Sequence, residues 1–310
     1  MVDIFHCSQL LAPEEDFMKH RSLYDRMIPV IFACILVSMA TGSFWDLSIS
    51  YALLNQESLP ALLAAGYGSM PNYLLGVICG YLLIRRAKPS GPPLQYYGRV
   101  VFGGLVLAGC AFYGGYDTCH YITELPRGLA IGLGFGFAVL ACLFAEWTLR
   151  DASDDAVARL LKILILIALG PTILTHLIKI PWARPRMRLL VSGMGQMVSF
   201  HPWYQPGLAD KAQLIASGIP KDDLKSFPSG HTTAAATALS LYYIASASPL
   251  LRSRRYQFFF GGLCWTLLIA LSRIVIGAHF LTDVTAAFAI TFTIFVLGGK
   301  LYRADLLLSE

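Results

Sequence analysis

The sequence predicts an all-α polytopic membrane protein, a helical bundle of about eight transmembrane helices. Three observations carry that prediction. Of the 310 residues, 56% are hydrophobic and only 14% charged, and mean hydropathy is +0.59; soluble domains sit near 45–50% and roughly 25%. The apolar residues come in blocks of about 17–22, the length at which a helix crosses a bilayer. Basic residues collect in alternate connections, the asymmetry that sets membrane orientation.

The spans read as 27–45, 67–84, 99–116, 128–147, 157–177, 231–247, 257–274 and 280–301. The second has the least distinct start: residues 59–66 read equally as an interfacial helix leading into it, and Pro71 stands near its beginning, where a proline costs least. The fourth carries Gly128, Gly132 and Gly136 at four-residue spacing, a ridge expected to permit close helix packing. Asp46 and Glu146 fall at span ends and read as solvated. A bundle of six spans is the alternative count, and a difference of two before residue 150 leaves the carboxyl-terminal half unchanged.

One side of the predicted bundle carries Lys19, Arg21, Arg26, Arg85, Arg86, Lys88, Arg99, Arg150, Arg159, Arg252, Arg254, Arg255, Lys300 and Arg303. With eight spans this side and both termini are cytoplasmic. Residues 1–26 then form a cytoplasmic segment, polar and mixed in charge, and not a cleavable secretory signal. Residues 27–156 form the amino-terminal helices and residues 157–310 the carboxyl-terminal helices with the 178–230 loop. The expected location is the bacterial inner membrane, with residues 178–230 and 273–283 facing the periplasm or exterior. The net charge of +5 follows from topology and calls for no nucleic-acid partner. Seven scattered cysteines, without a C-x-x-C pair, indicate neither a zinc site nor a disulfide framework.

The segment 178–230 is the one long loop. Loops of this length are functional or disordered, and its Trp182, Phe200, Pro202, Trp203, Tyr204 and Pro206 suit packing at a membrane interface. Its cations depart from the positive-inside bias, which points to function. At the junction of the last two spans, Arg273, His279 and Asp283 place charge where charge is costly. His279 and Asp283 are four apart, so on a helix the carboxylate orients the imidazole, and Arg273 is placed to hold an anion before it. A cation, a base or nucleophile and an orienting carboxylate suggest chemistry on a phosphate. Lys179, Arg184, Arg186 and Arg188 crowd the start of the loop, and Pro228, Ser229, Gly230 and His231 close it where a helix opens toward an anion.

In these residues the chain resembles the type-2 phosphatidic acid phosphatases, which share their pattern with vanadium-dependent haloperoxidases. The second motif is complete at Pro228–His231 and the third at Ser272–Asp283. The first is altered: Lys179 and Arg186 keep the offset, with Met187 where the family has proline. A second register uses Arg184-Pro185 and puts Leu177 in the place of the lysine; the two-charge register is favoured, and Arg184 remains a further candidate. The resemblance covers roughly 175–300 and implies a catalytic core like that of this family.

It further implies His279 as nucleophile, Asp283 as its orienting partner and His231 as general acid. Lys179, Arg186, Ser229, Gly230 and Arg273 would bind phosphoryl oxygens, without a metal or other cofactor. The implied reaction is hydrolysis of a lipid phosphate or diphosphate through a phosphohistidine. The substrate candidates are phosphatidic acid, phosphatidylglycerol phosphate, undecaprenyl diphosphate and lipid A phosphates. Transfer of phosphate to an acceptor hydroxyl is the alternative; halide oxidation fits poorly with membrane embedding, and a metal-binding transporter fits poorly with three nearby cations. His176 reads as a helix-end residue, and Trp182 and Trp203 as interface anchors.

Overall fold

The computed structural model describes residues 23–119 and 121–308. Most of the predicted cytoplasmic segment, including Lys19 and Arg21, lies outside the described residues. The α-helices run α1 Leu23–Leu53, α2 Leu59–Tyr67, α3 Met70–Arg85, α4 Pro93–Thr118, α5 Arg127–Leu149, α6 Asp154–Trp182, α7 Met187–Leu190, α8 Leu208–Ala216, α9 Gly230–Ala236, α10 Leu241–Ala247, α11 Arg255–Val275 and α12 Leu281–Leu301. No strand occurs among the described residues. The fold is an all-α membrane bundle, as the apolar blocks require once every backbone group must be paired inside lipid.

Among the described residues, seven helical segments are long and apolar enough to cross a membrane, rather than the eight expected. The difference lies at 231–247. There α9 and α10 are separated by a 3-10 turn at Thr237–Ser240, so neither reaches spanning length alone. The broken rod nevertheless runs the depth of the bundle. Its first residues pack beside Lys179, and just past its end the Ser248 hydroxyl donates to the Thr148 carbonyl at the close of α5. The second expected span is α3, with Pro71 in its first turn, and the helix expected to lead into it is α2, set off from α3 at Gly68 and Ser69.

The two ends of the bundle differ in chemistry. At one end Arg85 donates to the Leu149 carbonyl and Lys88 pairs with Asp154. There too Arg159 donates to the Tyr302 carbonyl and Arg252 to that of Leu308. The other end gathers the close of α1, the start of α12 and the folded 183–229 connection. Alternate helices therefore run in opposite directions, as the distribution of cations predicts.

The glycine ridge does not do what its spacing suggests. A Cβ on Gly128, Gly132 or Gly136 would meet open space. The close approach in α5 is made two residues over, by Gly134, where a Cβ would stand 2.7 Å from the Gly115 amide nitrogen of α4. Gly80 and Gly103 do the same between α3 and α4, a Gly80 Cβ falling 2.6 Å from the Gly103 carbonyl oxygen. Spacing alone cannot separate a packed glycine row from a lipid-facing one.

The long connection is compact. Helix α6 extends to Trp182, five residues beyond the predicted end at 177, and stops where Ala183 adopts a left-handed φ of 44°. That turn directs Arg184 inward. Leu189, Ile219 and Leu224 form a small core of their own, with Val198 and Leu214 against it. Trp182 and Trp203 both stack with Phe227, at 5.1 and 6.1 Å between ring centroids, and the Trp203 indole donates to Ser43 of α1. These tryptophans fasten the connection to the bundle.

Candidate active site

Three chain segments meet where the sequence motifs converge. The first is the α11–α12 turn. Gly277 has φ +66°, and a Cβ there would lie 2.7 Å from Leu54 Cδ1 and 3.1 Å from the Arg188 amide nitrogen. Only glycine gives both the conformation and the room. The Gly277 carbonyl accepts from the Arg188 amide, and the amides of Ala278 and His279 both donate to the Arg273 carbonyl. The turn therefore sets His279 against the end of the helix that carries Arg273.

His279 is buried, and its Nδ1 stands 2.6 Å from the Ser226 carbonyl oxygen. A carbonyl only accepts, so Nδ1 carries the proton and Nε2 keeps its lone pair. Asp283 was expected to hold this nitrogen; its nearer oxygen is 3.7 Å away, outside hydrogen-bond range. The carboxylate acts one step back. Its Oδ2 accepts from the Ser226 hydroxyl and from the Phe280 amide at the start of α12, the acidic half of a capping box. Asp283 thus holds Ser226, and the Ser226 backbone holds the imidazole. Burial keeps the His279 imidazole well below its usual pKa, with the Asp283 carboxylate pulling in the opposite direction.

Arg184 proves to be part of this support. It is fully buried, and donates from Nη1 to Asp283 Oδ1 at 2.5 Å, from Nη2 to Asp46 Oδ2 at 2.8 Å and from Nε to the His201 carbonyl at 2.7 Å. Its guanidinium also lies against the Phe280 ring. With its donors given to protein acceptors and its position sealed, Arg184 is no phosphate ligand, which removes the second register of the first motif. Asp46 is equally unlike its reading as a solvated span end. It is buried, and accepts from the Thr282 amide and hydroxyl as well as from Arg184.

The remaining cations are differently disposed. Lys179 donates to the Lys225 carbonyl at 2.9 Å, and a Cβ at Gly230 would sit 3.9 Å from its Cε. Arg188 is taken by Asp223. The buried Arg186 Nε, Arg273 Nε and Nη1, and His231 Nε2 have no protein partner. Buried polar groups are ordinarily paired, so this set of unpaired nitrogens, with His279 close by, is the strongest local sign of an anion site. Ser229 caps α9, its hydroxyl oxygen accepting from the Thr232 amide and hydroxyl, which leaves its own proton to donate. The structure thus brings together every predicted site residue except Arg184, which it places behind the site. His176, expected at a helix end, lies inside α6, which continues to Trp182; it is exposed and bonded to its own helix at Thr172.

Two site residues carry no motif signal. Asp46 looked like one more polar residue at a span end. Tyr121, in the α4–α5 connection, accepts from Arg273 Nη2 at 3.0 Å and meets His231 edge to face, 5.1 Å between centroids. Nothing in the local sequence distinguishes it from the chain's other tyrosines.

Residues 159–304 match the PAP2 superfamily. No curated protein and no solved structure shows a match to the chain. The matched stretch holds all three motifs and excludes Asp46 and Tyr121. Residues 159–304 thus form a PAP2-type stretch, which supports a phosphatase-type activity, set in a multi-pass membrane protein.

Proposed function

We propose that the protein hydrolyses a lipid phosphate or lipid diphosphate without a metal, through a phosphohistidine on His279. The observation that supports this most directly is the pairing of opposites around one imidazole. Nδ1 is committed to the Ser226 carbonyl, while unpaired nitrogens of Arg186, Arg273 and His231 stand ready for an anion. In the first step His279 Nε2 bonds to phosphorus as the bond to the leaving oxygen breaks. Protonated His231 gives its proton to that oxygen. Lys179, Arg186 and Arg273, with the Ser229 hydroxyl and Gly230 amide, hold the phosphoryl oxygens where charge concentrates. In the second step water attacks phosphorus, His231 takes its proton, the N–P bond breaks and inorganic phosphate leaves.

A lipid fits because the site lies at one end of a bundle whose flanks expose large apolar side chains such as Phe44, Leu177 and Ile180. The headgroup reaches the site while the chains stay in the bilayer. The cation-rich end faces the cytoplasm by the positive-inside bias, which turns the site outward, to the periplasmic side of a bacterial inner membrane. Residues 27–156 form the amino-terminal helices of this arrangement and 157–310 its catalytic core.

The test is phosphate release by purified protein from phosphatidic acid, phosphatidylglycerol phosphate and undecaprenyl diphosphate in detergent micelles, with and without chelator. Release from at least one lipid that survives chelation and disappears in His279→Ala is the expected result. Turnover by His279→Ala at the wild-type rate would falsify the assignment.

A further inference from the structure

The domain matched by the superfamily begins at residue 159, yet one side chain touching two of its site residues comes from before it. We infer that Tyr121, carried by the α4–α5 connection, is a positioning residue of the reaction: its hydroxyl holds Arg273 and its ring holds His231. The inference rests on the phosphatase reading above and adds a part supplied by the amino-terminal helices.

Each half of the role has its own geometry. The Tyr121 hydroxyl accepts from Arg273 Nη2 at 3.0 Å, and the guanidinium carbon lies 4.8 Å from the centre of the same ring. Arg273 is fully buried, and its Nη2 donates to the Tyr121 hydroxyl. The phenol is therefore the neutral acceptor that fixes one guanidinium nitrogen and leaves Nε and Nη1 for the anion. A carboxylate in that place would cancel the charge an anion needs. The ring edge meets the His231 imidazole at 85° between planes. His231 also faces the cations Arg273, Arg186 and Lys179 and the His279 imidazole, so Tyr121 is its uncharged wall.

The placement is built rather than incidental. Tyr121 closes a turn, its amide donating to the Thr118 carbonyl. It packs with Leu62 and Val275 against a small core of Ala61, Ala65, Ile276 and Ala278. That core joins α2 to the turn bearing His279. Beside it, Ile122 fills the space over Gly66, where a Cβ would come within 3.1 Å. The connection is thus wedged between the amino-terminal helices and the catalytic turn, and the phenol has a fixed address.

The experiment compares wild type, Tyr121→Phe and Tyr121→Ala in detergent. Orthovanadate, a tetrahedral oxyanion, is titrated by calorimetry, and the pH profile of kcat is taken on phosphatidic acid micelles. Tyr121→Phe keeps the ring and loses the acceptor, so vanadate should bind about fivefold more weakly and KM should rise, with the alkaline limb of kcat unmoved. Tyr121→Ala should weaken vanadate as much and also lower kcat. Its alkaline limb should move upward by about half a pH unit or more as water reaches the imidazolium. Vanadate affinity equal to wild type in Tyr121→Phe would overturn the inference even if Tyr121→Ala were inactive through misfolding. A wild type that neither binds vanadate nor releases phosphate would overturn the phosphatase reading itself, a result separable from any behaviour of the variants.

Discussion

Arg184 Nη1 lies 2.5 Å from Asp283 Oδ1, inside the bundle and out of reach of solvent. The other arm of the same guanidinium binds Asp46, 138 residues earlier in the chain. One buried cation thus ties α1, the connection after α6 and the start of α12 into a single block beneath the catalytic turn. Ion pairs of this kind add little over a well-packed apolar trio, but losing one member leaves charge stranded at high cost.

Arg184→Gln should therefore destabilise the protein by about 3–5 kcal/mol, since two buried carboxylates lose their counter-charge. Adding Asp46→Asn should recover part of that loss, because only one stranded carboxylate remains. Thermal unfolding in detergent of the two single variants and the double variant measures the coupling. Strict additivity of the single changes would contradict the shared network.

The acid limb of kcat/KM should lie below the ordinary histidine value of about 6.5. Burial lowers the His279 pKa, so Nε2 keeps its lone pair as the pH falls past that value and protonates only at the depressed one. The sign for stability follows. Between the two values the unfolded chain binds a proton that folded His279 does not, so stability declines as pH drops through this window. Rate and melting profiles over the same pH range check both. An acid limb above 6.5 would contradict a neutral buried imidazole.

His231 is assigned to the leaving group, so its importance should depend on that group. His231→Ala should lose about 100-fold or more in kcat on a lipid phosphate, whose alkoxide needs a proton. On p-nitrophenyl phosphate, whose phenolate leaves without one, the loss should be much smaller. Equal losses on the two substrates would place His231 elsewhere in the mechanism.

Neighbouring glycines of α5 should behave oppositely. Gly132→Ala faces open space and should be neutral or slightly stabilising, as Ala is the better helix former by about 1 kcal/mol. Gly134→Ala puts a Cβ 2.7 Å from the Gly115 backbone, which has no side chain to move aside, and should cost about 1–3 kcal/mol through overpacking. Melting temperatures of the two variants decide it.

These glycines mark one limit of what the sequence discloses. Hydropathy and the alternation of basic connections disclose the bundle and the common end of the three motifs, because bilayer thickness and loop charge act on every residue of a span alike. The rotation of a helix about its axis leaves no such trace when the lipid-facing side is as apolar as the packed side, so the wrong row of α5 was expected to pack. The site divides in the same manner. His231, His279, Arg273, Lys179 and Arg186 were legible because charged and titratable residues beside a membrane are scarce. Asp46 and Tyr121 arrive from helices distant in sequence, and their role exists only in the packing. Arg184 had the residue type of a phosphate ligand, and its inward turn at Ala183 made it a clamp on carboxylates.

The central claim is that the lone pair of His279 Nε2 attacks phosphorus, and trapping the covalent product tests it most directly. Lipid carrying a radiolabelled terminal phosphate is mixed with the purified protein, quenched in denaturant at alkaline pH within the first turnover and digested. The account predicts an acid-labile, base-stable label on the peptide containing His279, absent from His279→Ala. Label on any other residue, or phosphate release by His279→Ala at a rate near that of wild type, would contradict it.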